Sequence, residues 1–424
     1  MKIHFNLQDF LPRLRLVKSV VATSNRKQIL QNVKIVADKR YFGAILQAAD
    51  SEHGLRVRVD CDVVEDGSAL LPVQGLIDIL QSVNEKRLEL ERIDEGTILK
   101  WDDEEYDTFL TESPDTFHDV PDFTEESYYE IPTEMMQTVI RRTIFAAAPA
   151  KDKMRHAMKG VCFEAREESI DAVASNGDRL AWQRASGKII GNPIIESAIV
   201  SVKALKLLDR ILKDKTFFHW EVVHMAVAEG LVLFQGEDFS MFALLPSQTY
   251  PQWRRHVPQT KEMACATVNC GELYTAMKSV QTATPKVSEP KVALTFERGK
   301  LTLEAQDKES KTMTLAVPLS FDGQATVRIN PAHLTDMLAV LDFGSSLSIH
   351  LTGDQPVMVK TDDDFTYLTM PCRNDKGGLE IEIESTAKPE VAPESKAVRE
   401  SKPIKAIAKQ RMLPNFTAGR VVKW

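Results

Sequence analysis

The side chains that most often do chemistry occur in this sequence, but they are not grouped as a catalytic site requires. It contains no phosphate-binding loop G-x-x-x-x-G-K-[ST], no G-x-S-x-G and no H-E-x-x-H, and none of its nine histidines is placed to suggest a catalytic pair. Asp102 and Asp103 lie in the charge run WDDEEYD, which predicts a solvated hairpin. We therefore expect no enzymatic activity. A metal-dependent nuclease, the discarded alternative, would need clustered carboxylates.

The cysteines do not form a pattern that binds metal. They are odd in number, and none forms a CxxC pair or lies at ligand spacing beside a histidine. This pattern favours free thiols in a reducing cytosol, with no metal and no cofactor. The five cysteines are Cys61, Cys162, Cys265, Cys270 and Cys372.

Basic residues, in contrast, follow a helical period. Lys203, Lys206, Arg210 and Lys213 are spaced i, i+3, i+7 and i+10, which places them along one face of a helix. From spacing alone, a solvated basic face is the simpler interpretation. The formal net charge of −8 argues against a protein that simply coats nucleic acid, although charge can differ between faces.

The bulk composition is that of a soluble globular protein of several domains. A chain of 424 residues suggests two to four domains, and 43% hydrophobic with 27% charged residues is ordinary. No apolar run approaches the length needed to span a bilayer. The start, MKIHFNLQDFLPRLRL, carries charges where a signal core would be apolar, so we expect no secretion.

Two helical patterns recur three times along the chain. The first occurs in FNLQDFLPRLRLV (5–17), IPTEMMQTVIRRT (131–143) and VNCGELYTAMKSV (268–280). The second aligns without gaps in LPVQGLIDIL (71–80), VSVKALKLLD (200–209) and INPAHLTDML (329–338). Pro72, Ser201 and Asn330 are predicted to begin the second helix of each repeat.

The segments between these helices alternate apolar and polar residues, which predicts strands. The sequence therefore predicts an α+β fold of three tandem domains, each with two helices packed on antiparallel sheets. We place the domains at 1–125, 126–258 and 259–374. Residues 375–424 are predicted to be a disordered tail, because 385–402 are rich in Lys, Glu, Pro, Ser and Ala.

Five stretches, in order along the chain, resemble the bacterial DNA polymerase III beta subunit family, the sliding clamps. They are MKIHFN (1–6), QNVKIVA (31–37), MKGVCFEAREESIDAVASNGDRLA (158–181), DFSMFALLPSQTYPQWRR (238–255) and YLTMPCR (367–373). The resemblance implies clamp-type domains and a head-to-tail homodimer whose six domains close a ring around duplex DNA. Its interface is expected to join Tyr106–Phe109 to Val280–Thr284. The implied partners are DNA polymerase III, other polymerases, the clamp loader and repair proteins, in the nucleoid-associated cytoplasm and not at a membrane.

The resemblance also implies a pocket for partner peptides, with apolar walls and with arginines that orient the peptide. Asp178 stands where the family usually has His, and Cys372 where it usually has Met; both substitutions bear on partner preference. The residues that match the family pocket are Met158, Ser175, Gly177, Arg179, Leu180, Pro251, Arg255, His256, Leu368, Met370, Pro371, Cys372 and Arg373.

The family geometry turns the basic helices towards the DNA in the ring. The expected DNA-facing residues are Arg13, Arg15, Lys18, Arg26, Arg141, Arg142, Lys151, Lys153, Lys203, Lys206, Arg210 and Lys213. The first domain departs most from the family pattern: for example, 49–52 reads ADSE where the family usually has TDLE. A specialised clamp-like regulatory paralogue, which binds partners but is not the main replicative clamp, is therefore the alternative function.

The tail ends in an apolar group that follows a long polar stretch. Residues 410–416 read QRMLPNF, with Gln410, Leu413 and Phe416 at the spacing of the short peptides that dock on sliding clamps. The tail is predicted to be a ligand for the chain's own pocket. The alternative is a chance match in a basic tail that contacts DNA, since 402–424 contains six Lys or Arg and no acid.

Overall fold

The computed structural model describes residues 1–21, 28–41, 43–94, 96–102, 104–109, 113–117, 119–166, 169–191, 197–214, 221–228, 230–260, 263–284, 290–306, 312–351, 356–372 and 381–384. Six α-helices lie within these ranges, two in each third of the chain. They are α1 (Leu7–Lys18), α2 (Val73–Ser82), α3 (Thr133–Thr143), α4 (Val202–Lys213), α5 (Cys270–Ala283) and α6 (Pro331–Leu338). None of these helices has the length and apolarity needed to cross a bilayer.

Strands surround each pair of helices. The first third contains β1 (Lys2–Asn6), β2 (Asn32–Asp38), β3 (Gly43–Ala49), β4 (His53–Glu65), β5 (Gly67–Pro72), β6 (Arg87–Ile93), β7 (Gly96–Trp101) and β8 (Glu104–Phe109). The middle third contains β9 (Tyr128–Pro132), β10 (Gly160–Ala165), β11 (Ser169–Ser175), β12 (Arg179–Ser186), β13 (Lys188–Ile190), β14 (Ala198–Ser201), β15 (Val222–Ala228), β16 (Leu231–Gln235) and β17 (Phe239–Leu244). The last third contains β18 (Ala264–Asn269), β19 (Val292–Glu297), β20 (Lys300–Gln306), β21 (Thr312–Ser320), β22 (Gln324–Ile329), β23 (Ser346–Leu351), β24 (Val357–Lys360) and β25 (Phe365–Thr369), and is followed by β26 (Ile381–Glu384).

The repeat predicted from the two helical patterns is confirmed. Each third runs strand, helix, four strands, helix and three strands, with one extra short strand, β13, in the middle third. Ser201 and Asn330 cap α4 and α6, because their side chains accept hydrogen bonds from the N–H groups of Ala204 and Ala332. Pro72 precedes α2 without a side-chain cap.

The helices of all three thirds pack on their sheets through an apolar face. Phe10 and Leu14 of α1, and Leu205 and Leu208 of α4, are fully buried in one continuous core. Burial of each such side chain stabilises the fold by about 1.5–3 kcal/mol. The opposite face of α4 carries the four cations at i, i+3, i+7 and i+10, all exposed. The spacing seen in the sequence is therefore that of an amphipathic helix with its basic face outward.

Sheets continue from one third into the next. β17 pairs antiparallel with the first half of β4, and β25 pairs antiparallel with β12. As a result, two sheets of 13 strands each extend across the chain. Because hydrogen-bonded ladders cross both junctions, the domain limits at 125/126 and 258/259 remain predictions rather than boundaries visible as gaps.

The prediction that everything after residue 374 is disordered is wrong for one short segment. Strand β26, within IEIE, pairs antiparallel with β22 from Gln324 to Val327. The alternation of β-branched and polar residues suits a strand, and β22 offers a backbone edge for pairing. Composition does not predict this strand, because four residues beside a polar segment carry too short a pattern and their pairing partner lies about 55 positions away.

Candidate partner and nucleic-acid interfaces

The predicted partner pocket lies where the middle third meets the last third. β12 and β25 place Arg179 opposite Thr369 and Leu180 opposite Leu368. The backbone N–H of Met370 donates to the carbonyl oxygen of Asp178 at 2.9 Å. Two motifs separated by almost 200 positions in the chain are thus neighbours in one sheet.

An apolar cluster, separate from the main core, forms the floor of this pocket. Leu180 and Leu368 are buried within it, while Met370 at the rim is 39% exposed. Met154, in the loop after α3, is 91% exposed. The floor residues are Cys162, Val173, Leu180, Ile199, Tyr250, Trp253, Met358 and Leu368. A buried apolar cluster with the exposed Met370 at its edge is suited to aliphatic or aromatic anchors of a peptide.

The loop between β11 and β12 is held by short polar contacts. Asn176 Oδ1 accepts the N–H groups of Asp178 and Arg179, each at 3.0 Å, and Ser175 Oγ accepts the N–H of Gly177 at 3.0 Å. Gly177 has φ = +92°, a conformation that disfavours side chains. The predicted residues 175–180 therefore form a rigid turn at the pocket edge.

Arg179 joins the two thirds from within. Its Nη1 lies 2.7 Å from Asp336 Oδ2 of α6, and its Nη2 donates to the Phe145 carbonyl at 2.6 Å. The guanidinium also lies 5.4 Å from the centroid of the Phe145 ring. The structure thus directs this guanidinium into the domain junction, where it positions α6 beside the pocket.

The remaining predicted pocket residues lie around this floor with differing exposure. Met158 and Pro251 are half-buried, Arg255 and His256 are exposed, and Pro371 is buried. Cys372 is half-buried, and its N–H donates to the Arg328 carbonyl at 2.7 Å. Arg373 lies outside the described residues.

Sequence reasoning missed a polar network beneath the pocket. Asp171 is fully buried and accepts hydrogen bonds from Trp182 Nε1 at 3.0 Å and Arg254 Nη2 at 2.8 Å. Burial alone would raise the pKa of Asp171, but hydrogen bonds from Arg166, Trp182 and Arg254 outweigh it and lower the pKa. The ionised carboxylate therefore anchors three elements of the middle third.

The segment after β17 contributes the other half of that network. Trp253 Nε1 donates to Glu164 Oε1 at 3.1 Å, and Arg254 forms an ion pair with Glu164. The Arg254 guanidinium stacks 4.4 Å from the centroid of the Trp253 ring. The signal for this network in the sequence is WRR within 238–255, an aromatic residue followed directly by two cations.

Most of the predicted DNA-facing cations are on the surface. Their positions follow two pairs of helices and one loop, since α1 packs with α2 and α3 packs with α4. The exposed members are Arg15, Lys18, Arg141, Lys151, Lys153, Lys203, Lys206, Arg210 and Lys213. Arg26 lies outside the described residues.

Two members of the predicted DNA-facing set are placed elsewhere. Arg142 is buried, with Nη1 3.0 Å from Gln183 Oε1 and Nη2 2.7 Å from Asp363 Oδ2. Arg13 is also buried, and its Nη1 donates to the Asp9 carbonyl at 3.0 Å. The expectation of DNA contact is therefore wrong for both, because each guanidinium is used inside the protein. A sequence alone does not show which of two adjacent arginines faces inward.

The junction of the first and middle thirds has its own polar network. Lys203 Nζ lies 2.5 Å from Asp50 Oδ2, and His53 Nε2 lies 3.1 Å from Ser201 Oγ. Burial alone would raise the pKa of Asp50, but hydrogen bonds from His53 and Lys203 hold it well below its usual range. One of the predicted DNA-facing lysines thus also stabilises the domain junction.

The helices of the last third contribute little charge. Lys278 of α5 lies 5.6 Å from the centroid of the Tyr274 ring, and Asp336 of α6 is paired with Arg179. The described residues include no group of three or more His, Cys, Asp or Glu side chains placed to hold a metal ion.

Comparison with known families gives one consistent result. The models of the DNA polymerase III beta subunit match the chain in order: the N-terminal domain at 1–109, the central domain at 130–252 and the C-terminal domain at 254–373. Together they cover more than half of the sequence.

Similar proteins agree with those matches over almost the whole of their own length. The chain is 23% identical to the beta sliding clamp of Treponema pallidum, over 80% of this chain and 90% of that protein. It is 23% identical to the beta sliding clamp of Bacillus subtilis, over 85% of this chain and 97% of that protein. The solved structure of the Bacillus subtilis DNA polymerase sliding clamp superposes with a TM-score of 0.78 at 21% identity, over 88% of this chain and 99% of that one. The Pseudomonas aeruginosa DNA polymerase III beta subunit gives 0.78 at 22% identity, over 88% and 100%.

Proposed function

Because the chain belongs to the DNA polymerase III beta subunit family, we propose that it is a DNA sliding clamp. It encircles duplex DNA, acts in the cytoplasm on the nucleoid, and serves polymerases as a non-catalytic processivity factor. The observation that carries this proposal is the use of one strand pairing at both domain junctions. A junction repeated head to tail generates a ring when its rotation closes.

The repeat suggests how a second copy closes the ring. β17 and β25 are the last strands of their thirds, and they pair with the first parts of β4 and β12. By the same rule, β8 of one copy pairs with the first part of β21 in the other. Among the described residues, that part of β21 is paired to β20, and β18 reaches β21 only at its last two residues, Leu319 and Ser320.

This arrangement shifts the expected dimer contact from a helix to a strand edge. Val280, in the predicted contact at 280–284, is fully buried within its own third. Two copies joined through β8 and β21 place six domains in a circle. Light scattering at micromolar concentration is expected to give twice the chain mass, and a strictly monomeric mass would contradict the ring.

The exposed cations of α1, α3 and α4 supply weak, sequence-independent attraction to phosphates. Such attraction falls as salt increases, because each neutralised phosphate releases counterions. Weak contacts also permit sliding. The test is retention on DNA: loaded protein should remain on a closed circle and leave when the circle is cut by a nuclease. Equal retention on linear and circular DNA would rule out topological binding.

The pocket between β12 and β25 is proposed to bind short peptides of DNA polymerase III, other polymerases, the clamp loader and repair proteins. Support comes from its apolar floor and from the exposed Met370 at its edge. A buried pocket surrounded by exposed groups is where interface energy usually concentrates. Asp178 Oδ2, on the turn beside it, lies 3.7 Å from Arg155 Nη1, so this edge of the pocket carries an ion pair.

The tail motif is proposed to be an internal competitor for this pocket. Gln410, Leu413 and Phe416 lie outside the described residues, so the proposal rests on their order and on tether length. For a 25-residue tether, the number of positions from 385 to 409, random-coil statistics give a root-mean-square span of about 25–30 Å, and tethering gives an effective concentration on the order of millimolar. Leu413→Ala with Phe416→Ala should tighten the binding of an external apolar peptide. Unchanged affinity would assign the tail to DNA or another partner.

A specialised regulatory paralogue is the second candidate function. The observations that favour it are Asp178 and Cys372 in the pocket and the departures of the first third. Complementation separates the two functions. Rescue of a strain that has lost its replicative clamp supports the main clamp, whereas failure of a well-expressed, ring-forming protein supports the paralogue.

A further inference from the structure

A cleft of about 560 Å³ opens on the sheet of the first third that contains β2, β3, β4 and β5. Its floor is formed by β2, β3 and β4, and one wall is the connector that leads from β8 to β9. We call this space the amino-terminal cleft. Its charged and polar lining includes Lys34, Asp38, Gln47, Arg56, Asp66 and Asp119.

The floor of the amino-terminal cleft is cationic and largely withdrawn from solvent. Lys34 is only 7% exposed and Gln47 only 4%. Lys34 Nζ lies 2.6 Å from Asp119 Oδ1, and Arg56 Nη1 lies 3.3 Å from Asp122 Oδ2. A buried ammonium needs a carboxylate beside it, because an unpaired charge in that position is costly.

The carboxylates come from an exposed part of the connector. The side chain of Asp119 is 67% exposed and that of Asp122 is 56% exposed. Each ion pair is therefore half solvated, and such pairs contribute little individually. The connector's acids are thus accessible to replacement by other carboxylates.

The same floor also binds the peptide backbone of the connector. Gln47 Oε1 accepts the N–H of Val120 at 3.2 Å, and Arg56 Nη1 lies 3.4 Å from the Val120 carbonyl oxygen. The floor therefore contacts two acids three positions apart together with the backbone of Val120, one of the two residues between them. Asp119-Val120-Pro121-Asp122 is a template for what this surface binds.

The corresponding place in the middle third is filled. There, Trp253 and Arg254 lie over β10 and β11 and bind Glu164 and Asp171. Val36 and Ile45 hold the equivalent positions in β2 and β3, so the first third has no acid at either position to hold such a pair. The amino-terminal cleft is the open space at the position that Trp253 and Arg254 fill in the middle third.

We propose that the amino-terminal cleft is a docking site for an acidic peptide segment of a partner protein, in which two carboxylates three positions apart displace those of Asp119 and Asp122. The site is distinct from the apolar pocket at β12 and β25. It binds carboxylates and extended backbone rather than aliphatic anchors, so one clamp presents two surfaces of opposite chemistry.

The experiment uses a fluorescein-labelled peptide with the sequence of residues 113–126, SPDTFHDVPDFTEE, and the full-length chain. Its affinity is measured by anisotropy for the wild type, for D119N/D122N, and for D119N/D122N carrying K34Q/R56Q. The matched control peptide has Asn at the two positions that correspond to 119 and 122. Circular dichroism and thermal melting establish that each variant is folded.

The peptide should bind D119N/D122N at least 10-fold more tightly than the wild type, because the tethered connector no longer competes. K34Q/R56Q and the Asn peptide should each abolish that gain. The proposal is overturned if the Asn peptide binds equally well, if K34Q/R56Q has no effect, or if a single-stranded oligonucleotide binds as tightly as the acidic peptide. Retention on circular DNA, measured on the same variants, tests the clamp function separately.

Discussion

The four-stranded sheet β5-β2-β3-β4 of the first third and the corresponding sheet β14-β10-β11-β12 of the middle third have the same architecture but opposite residue types. In the first third, paired strands set Leu70, Lys34, Gln47 and Arg56 in one row across β5, β2, β3 and β4. The corresponding row across β14, β10, β11 and β12 is Ile199, Cys162, Val173 and Trp182. The fold therefore determines where a surface lies, and its outward side chains determine what it binds.

The connectors that cover the two rows differ in the same sense. The first third is covered by a segment that contributes Asp119 and Asp122, and the middle third by one that contributes Tyr250 and Trp253. Each connector matches the row beneath it, acids on cations and aromatics on apolar side chains. Each row and its connector are thus matched in chemistry within the chain itself.

Removing the aromatic anchor should have the largest effect. Trp253→Ala empties a site that is 97% buried and is expected to cost about 3–5 kcal/mol in the free energy of unfolding. Urea denaturation measures this loss. Arg255→Ala, at the exposed neighbouring position, is the control and should stay within about 0.5 kcal/mol. Equal losses for both variants would show that Trp253 does not anchor the connector.

Removing an ion pair from the connector between β8 and β9 should lower the free energy of unfolding by a smaller amount. Asp119→Ala leaves Lys34 buried without its carboxylate, for which we expect a loss of about 1–2 kcal/mol after discounting for the exposure of Asp119. Lys34→Met should cost less than this, since it removes the buried charge itself. If the two residues act as a pair, the double variant Lys34→Met with Asp119→Ala should be as stable as Lys34→Met alone. A loss of stability equal to the sum of the two single losses would contradict the pair.

Acidification should lower the stability contributed by one domain junction and leave that of the other unchanged. Burial, with the nearby Arg179 charge, lowers the pKa of His333, so its neutral form is favoured in the folded state. Stability from His333 is therefore present above the unfolded pKa of about 6.5 and is lost as pH falls through the lower folded pKa. The depressed pKa of Asp50 at the other junction leaves that carboxylate charged throughout this range.

The measurement is the free energy of unfolding at pH 7.5 and at pH 5, for the wild type and for His333→Asn. The wild type should lose more stability on acidification than the variant does. Asp50→Asn should destabilise the protein by a similar amount at both pH values. If the free energy of unfolding of the wild type and of His333→Asn changes equally between the two pH values, His333 is not the source of the acid-induced loss.

The smallest effect on folding is expected on the α4 face, which belongs to neither connector surface. Lys206→Gln with Arg210→Gln should change the free energy of unfolding by no more than about 0.5 kcal/mol. The logarithmic salt dependence of DNA binding should nevertheless fall by about 1 per cation removed. Arg142→Gln is the contrasting variant: it should destabilise the fold. A salt slope unchanged by the α4 substitutions would remove that face from the DNA contact.

How much could be predicted differed between elements for a physical reason. The six helices and their spacing were visible in the sequence, because an amphipathic helix must repeat its apolar residues every three to four positions. Local rules of this kind do not reach across the chain. The polar network of Asp171 and Arg254 joins residues 83 positions apart, and no local periodicity connects them.

The sequence by itself determined the threefold repeat, the basic face of α4 and the motifs that assemble at the pocket. Each is encoded by residue type and short spacing. Only the tertiary structure decided that Arg142 turns inward to Asp363, that β26 pairs with β22, and that Lys34 lies beneath Asp119. Those outcomes depend on which distant segment supplies a partner for a buried charge or a strand edge, and that choice is made by the packing of the whole chain.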